Sequence, residues 1–404
     1  MRGDTGNQTF SGKSWRHQWV RYWLARHQVS DEQRQSHQAS LYLGDALADA
    51  WADWILDHSL TQGMAWLQKG LDRSCPDSEL PAELRALLTH WRSTPAWVDY
   101  KRCRRASLAI RRSGWFAELA LRNVALMSSY LSGAANKPLV QTGELKQTTA
   151  RRLVETGSFW VDVTRIDGLK PGGRGWISAA HVRVMHAVTR QRMLRSKQWD
   201  ETSWGIPINQ GDMVATLLLF SSVFVSALQG MGLVFSSQEV ADIIHLWRYT
   251  GYLMGIDPAL LPSDPADCDR LLALQLMHFT TPDQDTQRLG AALAAVPMQL
   301  AGPGKIAQTL AQLESAYRSA VSRLVLGNEF ADALGLPKPW YYPAALLTYP
   351  ALRTVESFRR RTPGSTWLFE RFGFWLHEKR VQDAVATTHA DIHFQLRPAL
   401  TENS

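Results

Sequence analysis

The sequence has little cysteine and lacks the short motifs of several common enzyme classes. Its three cysteines, Cys75, Cys103 and Cys268, are scattered among 404 residues and form no CxxC pair. This number and spacing exclude a zinc site built from cysteines and argue against a disulfide framework. The chain also has no GxGxxG segment after a strand, no P-loop, no HExxH and no nucleophile elbow. Nucleotide-binding, zinc-protease and acyl-transfer chemistry therefore have no support in the sequence.

The first 26 residues lack the apolar segment of a signal peptide. They are polar, and no twin arginine precedes a hydrophobic stretch. The sequence therefore predicts a cytoplasmic protein. A secreted protein whose signal has been removed shows the same pattern, so that alternative stays open.

Tryptophan, in contrast, is abundant, with 17 residues in the chain. So much aromatic area needs a large core, a cofactor pocket or an apolar substrate channel. The formal net charge is +7, and basic residues are concentrated at Lys101–Arg105, Arg111 and Arg112. Few aromatic residues are interleaved with this cluster, so we interpret it as a solvated helix face and expect no nucleic-acid partner. An anchor for a phosphate or a propionate is the other interpretation.

One segment is long enough to span a bilayer. Residues Met213–Phe235 are 23 in number and uncharged. The segment contains Gln229 and several serines, and it lacks the flanking Lys/Arg asymmetry that orients a membrane span. We interpret it as a central helix that is apolar on all sides because it is buried on all sides. Peripheral membrane contact through this helix and the basic cluster is the alternative.

Most of the chain shows helical periodicity, and alternating strand patterns are scarce. The sequence predicts an all-α protein with a single large helical domain. Breaks at Thr94-Pro95 and at Ala301–Gly304 divide it into an N-terminal helical region 1–93, a core 94–300 and a C-terminal helical extension 301–404.

Histidines on predicted helices are the first candidates for chemistry. His181 and His186 lie five residues apart, about 140° around one helix, so they do not face the same pocket. We place the start of this helix at Ser178, which puts His181 in the first turn near solvent. His186 lies among apolar residues, as does His245 on a later helix. A buried imidazole of this kind is either a hydrogen-bonded core residue or the axial ligand of a heme iron.

A second candidate pair is Arg152 and Thr156. Four residues apart on a helix, they share one face and place a cation beside a hydroxyl donor. Such a pair polarises bound dioxygen or holds an anion. A surface arginine next to a hydroxyl bonded back to the helix is the other interpretation.

Several segments in order resemble a known family. They are ARRLVETGSFWVDV, a PGGRG loop, HVRVMHAVTR, the apolar segment from WGIPINQ onward and WRYTGYLMGI, with TPAWVD at 94–99 preceding them. Together they resemble the heme-dependent rubber oxygenases. This family includes the bacterial latex clearing proteins and the fungal oxygenases of the endoplasmic reticulum that cut a farnesyl side chain.

This resemblance implies a globin-like core at 94–300 that holds one b-type heme. His186 would be the iron ligand, and Arg152 and Thr156 would contact oxygen on the other face. The implied activity is cleavage of C=C bonds in an isoprenoid-like or polyisoprene substrate by O2, giving carbonyl products. The alternatives are a non-enzymatic heme protein with His245 as second ligand, and a basic membrane-peripheral protein without heme.

The chain departs from rubber-cleaving members at two places. The lysine beside their distal threonine is replaced by Glu155, and the stretch 134–139 lacks their upstream glutamate. Glu144 is close in sequence but displaced. We therefore name Glu155 as the candidate base, with a helix-surface glutamate as the alternative.

Overall fold

The computed structural model describes residues 29–141, 145–277, 280–338 and 342–388, with the side chains of 145–148 left out of the description. Within these ranges the chain is mostly helical and contains no strand, so the all-α prediction is confirmed. The polar segment 1–26 and Glu144 lie outside the described residues.

The described part of the first half of the chain forms ten helices. They are α1 (Asp31–Ser40), α2 (Ala46–Asp57), α3 (Leu60–Asp72), α4 (Ala82–Arg92), α5 (Tyr100–Arg111), α6 (Trp115–Ala120), α7 (Met127–Ser129), α8 (Gly133–Gln141), α9 (Leu145–Val163) and α10 (Arg174–Arg195). A π-helical segment, Leu121–Leu126, joins α6 to α7, and a short 3-10 turn lies at Asp77–Glu79.

The remaining described helices follow in the second half. They are α11 (Glu201–Trp204), α12 (Gln210–Leu218), α13 (Phe224–Gly230), α14 (Ser237–Leu253), α15 (Pro265–Met277), α16 (Gln284–Gln299), α17 (Lys305–Leu326), α18 (Asn328–Ala333), α19 (Tyr342–Leu346), α20 (Thr348–Arg361) and α21 (Ser365–Thr388). A second π-helical segment, Leu219–Val223, joins α12 to α13, and a 3-10 turn lies at Pro258–Leu260.

One large apolar core holds these helices together. It includes Trp51 on α2, Phe224 on α13, Trp247 on α14 and Leu352 on α20, so residues from all three predicted regions share it. Complete burial of side chains this large contributes roughly 1.5–3 kcal/mol each. Part of the unusual tryptophan content is used in this core, where Trp51, Trp91, Trp160, Trp176 and Trp247 are buried.

The basic cluster on α5 is only in part a solvated helix face, since Lys101, Arg104 and Arg105 are exposed but Arg111 and Arg112 are buried. Arg102 and Arg105 both donate to the carboxylate of Asp242, which is buried on α14. Arg112 pairs with Glu239 on the same helix. The cluster therefore holds α5 against α14, and only part of it, such as Lys101 and Arg104, is exposed. The interpretation as a solvated face was wrong for Arg102 and Arg112, whose acidic partners lie about 130 residues further along the chain, beyond what a local pattern shows.

Helix α10 begins at Arg174, four residues earlier than the sequence analysis placed it. The first turn of α10 needs a glycine at position 175, because a Cβ there would lie 2.6 Å from the Cα of Val163. Gly175 thus allows α10 to approach α9 closely, whereas the other glycines of this region lie in the preceding loop. The longer helix also buries His181, whose Nδ1 lies 3.0 Å from the carbonyl oxygen of Ile177. The expectation that His181 lies near solvent was wrong.

The uncharged segment 213–235 is not one regular helix. Its helical part comprises most of α12, the π-helical segment Leu219–Val223 and α13. This helical part ends at Gly230, five residues before the end of the segment. The continuous helix Gln210–Gly230 is long and apolar enough to cross a membrane, but more than half of its most apolar stretch is buried inside the protein. Leu218, Phe224 and Leu228 are fully buried in the core. This burial matches the interpretation of a central core helix.

Candidate functional site

A cavity of about 1420 Å³ lies among α9, α10, α14 and the α12–α13 segment. Small-molecule sites are commonly about 300–1,000 Å³, so this cavity has room for a prosthetic group and an elongated molecule beside it. Its walls are mainly apolar and include Phe159, Met185, Leu217, Phe220 and Trp247. Such walls exclude water and strengthen any electrostatic contact made inside.

Both π-helical segments of the described chain line this cavity and contact each other. Leu121, Arg122 and Ala125 come from the first, and Leu219 and Phe220 from the second. A π-helical turn widens the helix locally and is frequent at functional sites. In this protein the two widened turns meet at the cavity wall. The sequence analysis did not identify them, since no residue pattern distinguishes a π-helical turn from an α-helical one.

The helix that carries His186 is fixed by a row of arginines. Arg183 forms a bidentate pair with Asp45, with N–O distances of 2.6 and 2.8 Å. Arg190, about two helical turns further along α10, pairs with Asp49. His186 lies between these two arginines in sequence and lines the cavity. The ion pairs between α10 and α2 therefore determine where the imidazole lies.

The imidazole of His186 is neutral and makes no hydrogen bond through its Nδ1. That atom is buried and has no partner within the described chain. Burial, with a smaller effect from the positive charge of Arg190, lowers the pKa of His186 to about 4. A neutral imidazole on a fixed helix keeps a lone pair for a metal.

The structure does not bring His245 to this cavity. Its Nε2 accepts a hydrogen bond from the backbone N–H of Asp99 at 3.0 Å, and its ring packs edge-on against Trp97. It is Trp247, two residues later, that faces the cavity. His245 thus joins α14 to the start of α5, and this geometry does not support a role as second axial ligand.

Arg152 and Thr156 line the same cavity as His186, from the helix packed against α10. Arg152 donates from Nη1 to the backbone carbonyl of Leu139 on α8 at 3.0 Å. The hydroxyl of Thr164, directly after the end of α9, donates to the carbonyl oxygen four residues earlier at 2.7 Å. The Thr156 hydroxyl makes no comparable bond within the described chain. Its hydroxyl is therefore available as a donor on a residue that lines the cavity.

Glu155 also lines the cavity, beside these two residues. Its Oε1 lies 3.1 Å from the Nε of Arg151, one turn earlier on α9. Both side chains are partly exposed. The carboxylate of Glu155 is therefore present at the cavity wall in contact with Arg151.

Two features of the cavity were missed by sequence reasoning. Phe220 and Trp247 stack with ring centroids 4.9 Å apart and form a flat aromatic wall. Arg122 is a buried cation in the wall, donating from Nη2 to the carbonyl of Leu293 at 2.9 Å. Burial lowers the pKa of Arg122 to about 9. In the sequence, Arg122 is the single arginine of the mostly apolar stretch 115–127, and this isolation could have indicated a buried cation.

No group of three or more His, Cys, Asp or Glu side chains that could hold a metal ion occurs among the described residues. A second imidazole, that of His377, also lines the cavity, but its Nε2 contacts the carbonyl oxygen of Gly114 and its Nδ1 faces Arg111. Of these two imidazoles, His186 is the one with an unpartnered ring nitrogen within the described chain. A metal bound by His186 would need its other ligands from outside the described side chains, and a macrocycle such as that of heme supplies such ligands.

Comparison with known proteins places the chain in a family. The model of the family described as "ER-bound oxygenase mpaB/B'/Rubber oxygenase, catalytic domain" matches residues 107–356. The chain is 25% identical over 305 residues to the rubber oxygenase of Streptomyces sp. (strain K30), covering 74% of this chain and 72% of that one. The fold is similar to the latex clearing protein LCP in its closed state, with a TM-score of 0.63, 21% identity, and 84% of this chain and 91% of the other covered. The chain belongs to the ER-bound oxygenase and rubber oxygenase family.

Proposed function

We propose that this protein is a b-type heme oxygenase that cleaves C=C bonds of an apolar, isoprenoid-like substrate with O2. The observation that carries the proposal is the convergence of His186, Arg152 and Thr156 on one apolar cavity. The family supplies the reaction class, since its members are described as oxygenases. The balanced conversion is one C=C bond and one O2 to two carbonyl groups.

The residues present fit a heme. His186 offers a neutral imidazole whose Nδ1 has no partner within the described chain. The cavity volume of about 1420 Å³ accommodates a macrocycle together with a substrate. The stacked pair Phe220 and Trp247 offers a flat apolar surface of the kind that a porphyrin packs against. When bound, the heme would supply the reduced iron that activates dioxygen.

The remaining chemistry is assigned to residues of the chain itself. Arg152 and Thr156 would donate hydrogen bonds to negative charge that develops on oxygen during the reaction. Preorganised donors of this kind act more strongly in a dry cavity than in water. Arg152 is held in place by the carbonyl of Leu139 and needs no large rearrangement. Glu155 is the candidate acceptor for a proton removed next to the double bond, and it would return that proton to the product, since the two carbonyl products contain every hydrogen of the alkene.

The substrate would be placed by shape and apolar contact rather than by specific polar groups. An additional methylene contributes only about 0.8 kcal/mol of burial. We therefore expect weak selection among chain lengths. Because selection among chain lengths is weak, polyisoprene and shorter isoprenoids are both candidate substrates.

The experiment that tests this function uses the heme-loaded protein and a short polyisoprene under ¹⁸O2. We expect carbonyl products that carry the label at both new ends. Thr156→Val keeps the shape of the side chain but removes the donor, and Thr156→Ser keeps the donor. The first variant should lose activity about 10²-fold and the second should retain most of it. Absence of labelled carbonyls from all isoprenoids tried would contradict the proposal.

A further inference from the structure

The two last described helices form a hairpin with an exposed apolar surface. Helix α20 (Thr348–Arg361) and helix α21 (Ser365–Thr388) contact each other and are joined by a short turn; we call them the C-terminal hairpin. Phe358 on α20 is 60% exposed, and Phe372 and Trp375 on α21 are 58% and 52% exposed. Trp367 and Leu368 in the first turn of α21 are equally exposed. Soluble monomers rarely expose so many large apolar side chains in one place.

On α21 these residues follow helical spacing. Leu368, Phe372 and Trp375 are separated by four and three residues, so they form one stripe along the helix. The rings of Phe372 and Trp375 lie 5.7 Å apart. Lys379, four residues after Trp375, lies over its ring at 5.1 Å. Arg371 contacts Trp367 in the same way, at 5.6 Å.

The exposed charge around this surface is mainly positive, and Asp383 near the end of α21 is the exposed acidic residue of the described hairpin. The acidic residues Glu356 and Glu378 are in ion pairs, and Glu370 is only partly exposed. Five exposed cations of the hairpin have no ion-pair partner within the described chain: Arg353, Arg360, Arg361, Arg371 and Lys379. Aromatic and apolar side chains flanked by basic ones are the pattern of helices that lie in the interface of a membrane.

The same hairpin borders the cavity. On α21, Val381 and Ala384 line the cavity, and so does Asp383, which is exposed. Asp383 lies eight residues beyond Trp375, about 12 Å along the helix. On α17, Leu310 lines the cavity and is 60% exposed, with Ile306 exposed one turn earlier. The cavity therefore reaches the surface beside exposed apolar residues of both helices.

We propose that the C-terminal hairpin docks on a lipid surface that carries anionic headgroups, so that an apolar substrate enters the cavity from the lipid phase. This inference rests on the proposed function only for the nature of the substrate. A second copy of the chain is a poorer partner for this surface. In a two-fold dimer the patch would meet itself and would bring its five unpaired cations together. Anionic lipid is complementary to those cations, and the acyl layer to Phe372 and Trp375.

The test is co-flotation of the full chain with vesicles of phosphatidylcholine alone and of phosphatidylcholine mixed with phosphatidylserine. We expect binding to the mixed vesicles that weakens as salt is raised. The variant Trp375→Ser should bind at least tenfold more weakly. Leu43→Ser, which removes an apolar side chain with a similar exposure of 50%, is its matched control and should bind like the wild type.

A second pair of variants isolates the charge. The double variant Arg360→Gln with Arg361→Gln should lose about fivefold in binding for each cation removed. Its control is Lys101→Gln with Arg104→Gln, which removes two exposed cations from α5. If both pairs lose binding equally, the docking surface is not the hairpin and the proposal fails.

The oligomeric state provides the remaining outcome. In analytical ultracentrifugation, we expect the wild type and Trp375→Ser to show the same association state. A dimer that disappears in this variant, together with no binding to vesicles, would overturn the proposal and make the surface an interface between copies. Cleavage of a detergent-dispersed isoprenoid is measured separately and needs no vesicle. Failure of docking and failure of the oxygenase function are therefore distinguishable.

Discussion

The guanidinium of Arg152 donates a hydrogen bond to the backbone carbonyl of Leu139 at 3.0 Å, and both residues line the cavity that contains His186. This bond joins α9 to α8 and holds a cation at an apolar wall. Neither residue is close to His186 in sequence. The arrangement that the proposed chemistry needs is thus produced by the packing of three helices.

Replacement of Arg152 should affect turnover more than cofactor binding. We expect Arg152→Ala to lower kcat about 10²-fold, because a fixed donor to developing negative charge is lost. Arg152→Lys should recover only part of the activity, since an ammonium lacks the planar geometry of the guanidinium. Oxygen consumption and heme content measured on the same samples check this expectation. Equal activity of all three proteins would contradict the assigned role.

Glu155 is tested against its own ion-pair partner. Glu155→Gln keeps the shape of the side chain and removes the proton acceptor, so we expect kcat to fall about 10²-fold. Arg151→Gln breaks the 3.1 Å pair but leaves the carboxylate, and should retain activity within a few-fold. Rates of product formation across a pH series distinguish the two variants. If they behave alike, Glu155 contributes to structure only.

The pair of Arg183 and Asp45 should be important for stability. Asp45 is 8% exposed and also accepts a hydrogen bond from the N–H of Ala48 at the start of α2. Asp45→Ala leaves a buried guanidinium without its counter-ion, which costs about 3–5 kcal/mol. Asp45→Asn keeps an acceptor for the helix start and should cost less. Urea unfolding of both variants measures the difference, and a loss below about 1 kcal/mol for the alanine variant would contradict the analysis.

His377 should contribute to the acid sensitivity of the fold. Its Nε2 lies 2.7 Å from the carbonyl oxygen of Gly114, and its Nδ1 faces the guanidinium of Arg111 at 3.4 Å. Burial, followed by the charge of Arg111, lowers the pKa of His377 to about 4. The native state therefore binds fewer protons than the unfolded state, whose histidine pKa is about 6.5. The contribution to stability is complete above pH 6.5 and is lost as the pH falls through 4.

The measurement for His377 is the free energy of unfolding at several pH values, for the wild type and for His377→Gln. The amide donates to a carbonyl and accepts from a guanidinium but does not titrate. We expect a shallower loss of stability below pH 6 in the variant. The slope should not vanish, since His186 and His245 also have pKa values lowered to about 4. An unchanged slope would show that His377 does not take up a proton in this range.

Local patterns predicted the helical class and the candidates for the site. Arg152 and Thr156 share a face because they are one helical turn apart, and His186 has apolar neighbours in sequence. Relations between distant segments were not predictable in this way. Asp242, which binds the arginines of α5, lies about 140 residues away from them, and the hydrogen bond of His245 to Asp99 spans 146 residues. The π-helical segments escaped detection for another reason, since their residues are ordinary for an α-helix.

The central claim is that His186 holds a heme. It is tested most directly by the absorption spectrum of the purified full chain, recorded beside that of His186→Ala after incubation with hemin. The account predicts a Soret band of bound heme in the wild type that is lost or strongly diminished in the variant. A wild-type protein that stays colourless after incubation with hemin, or a variant with an unchanged spectrum, would contradict it.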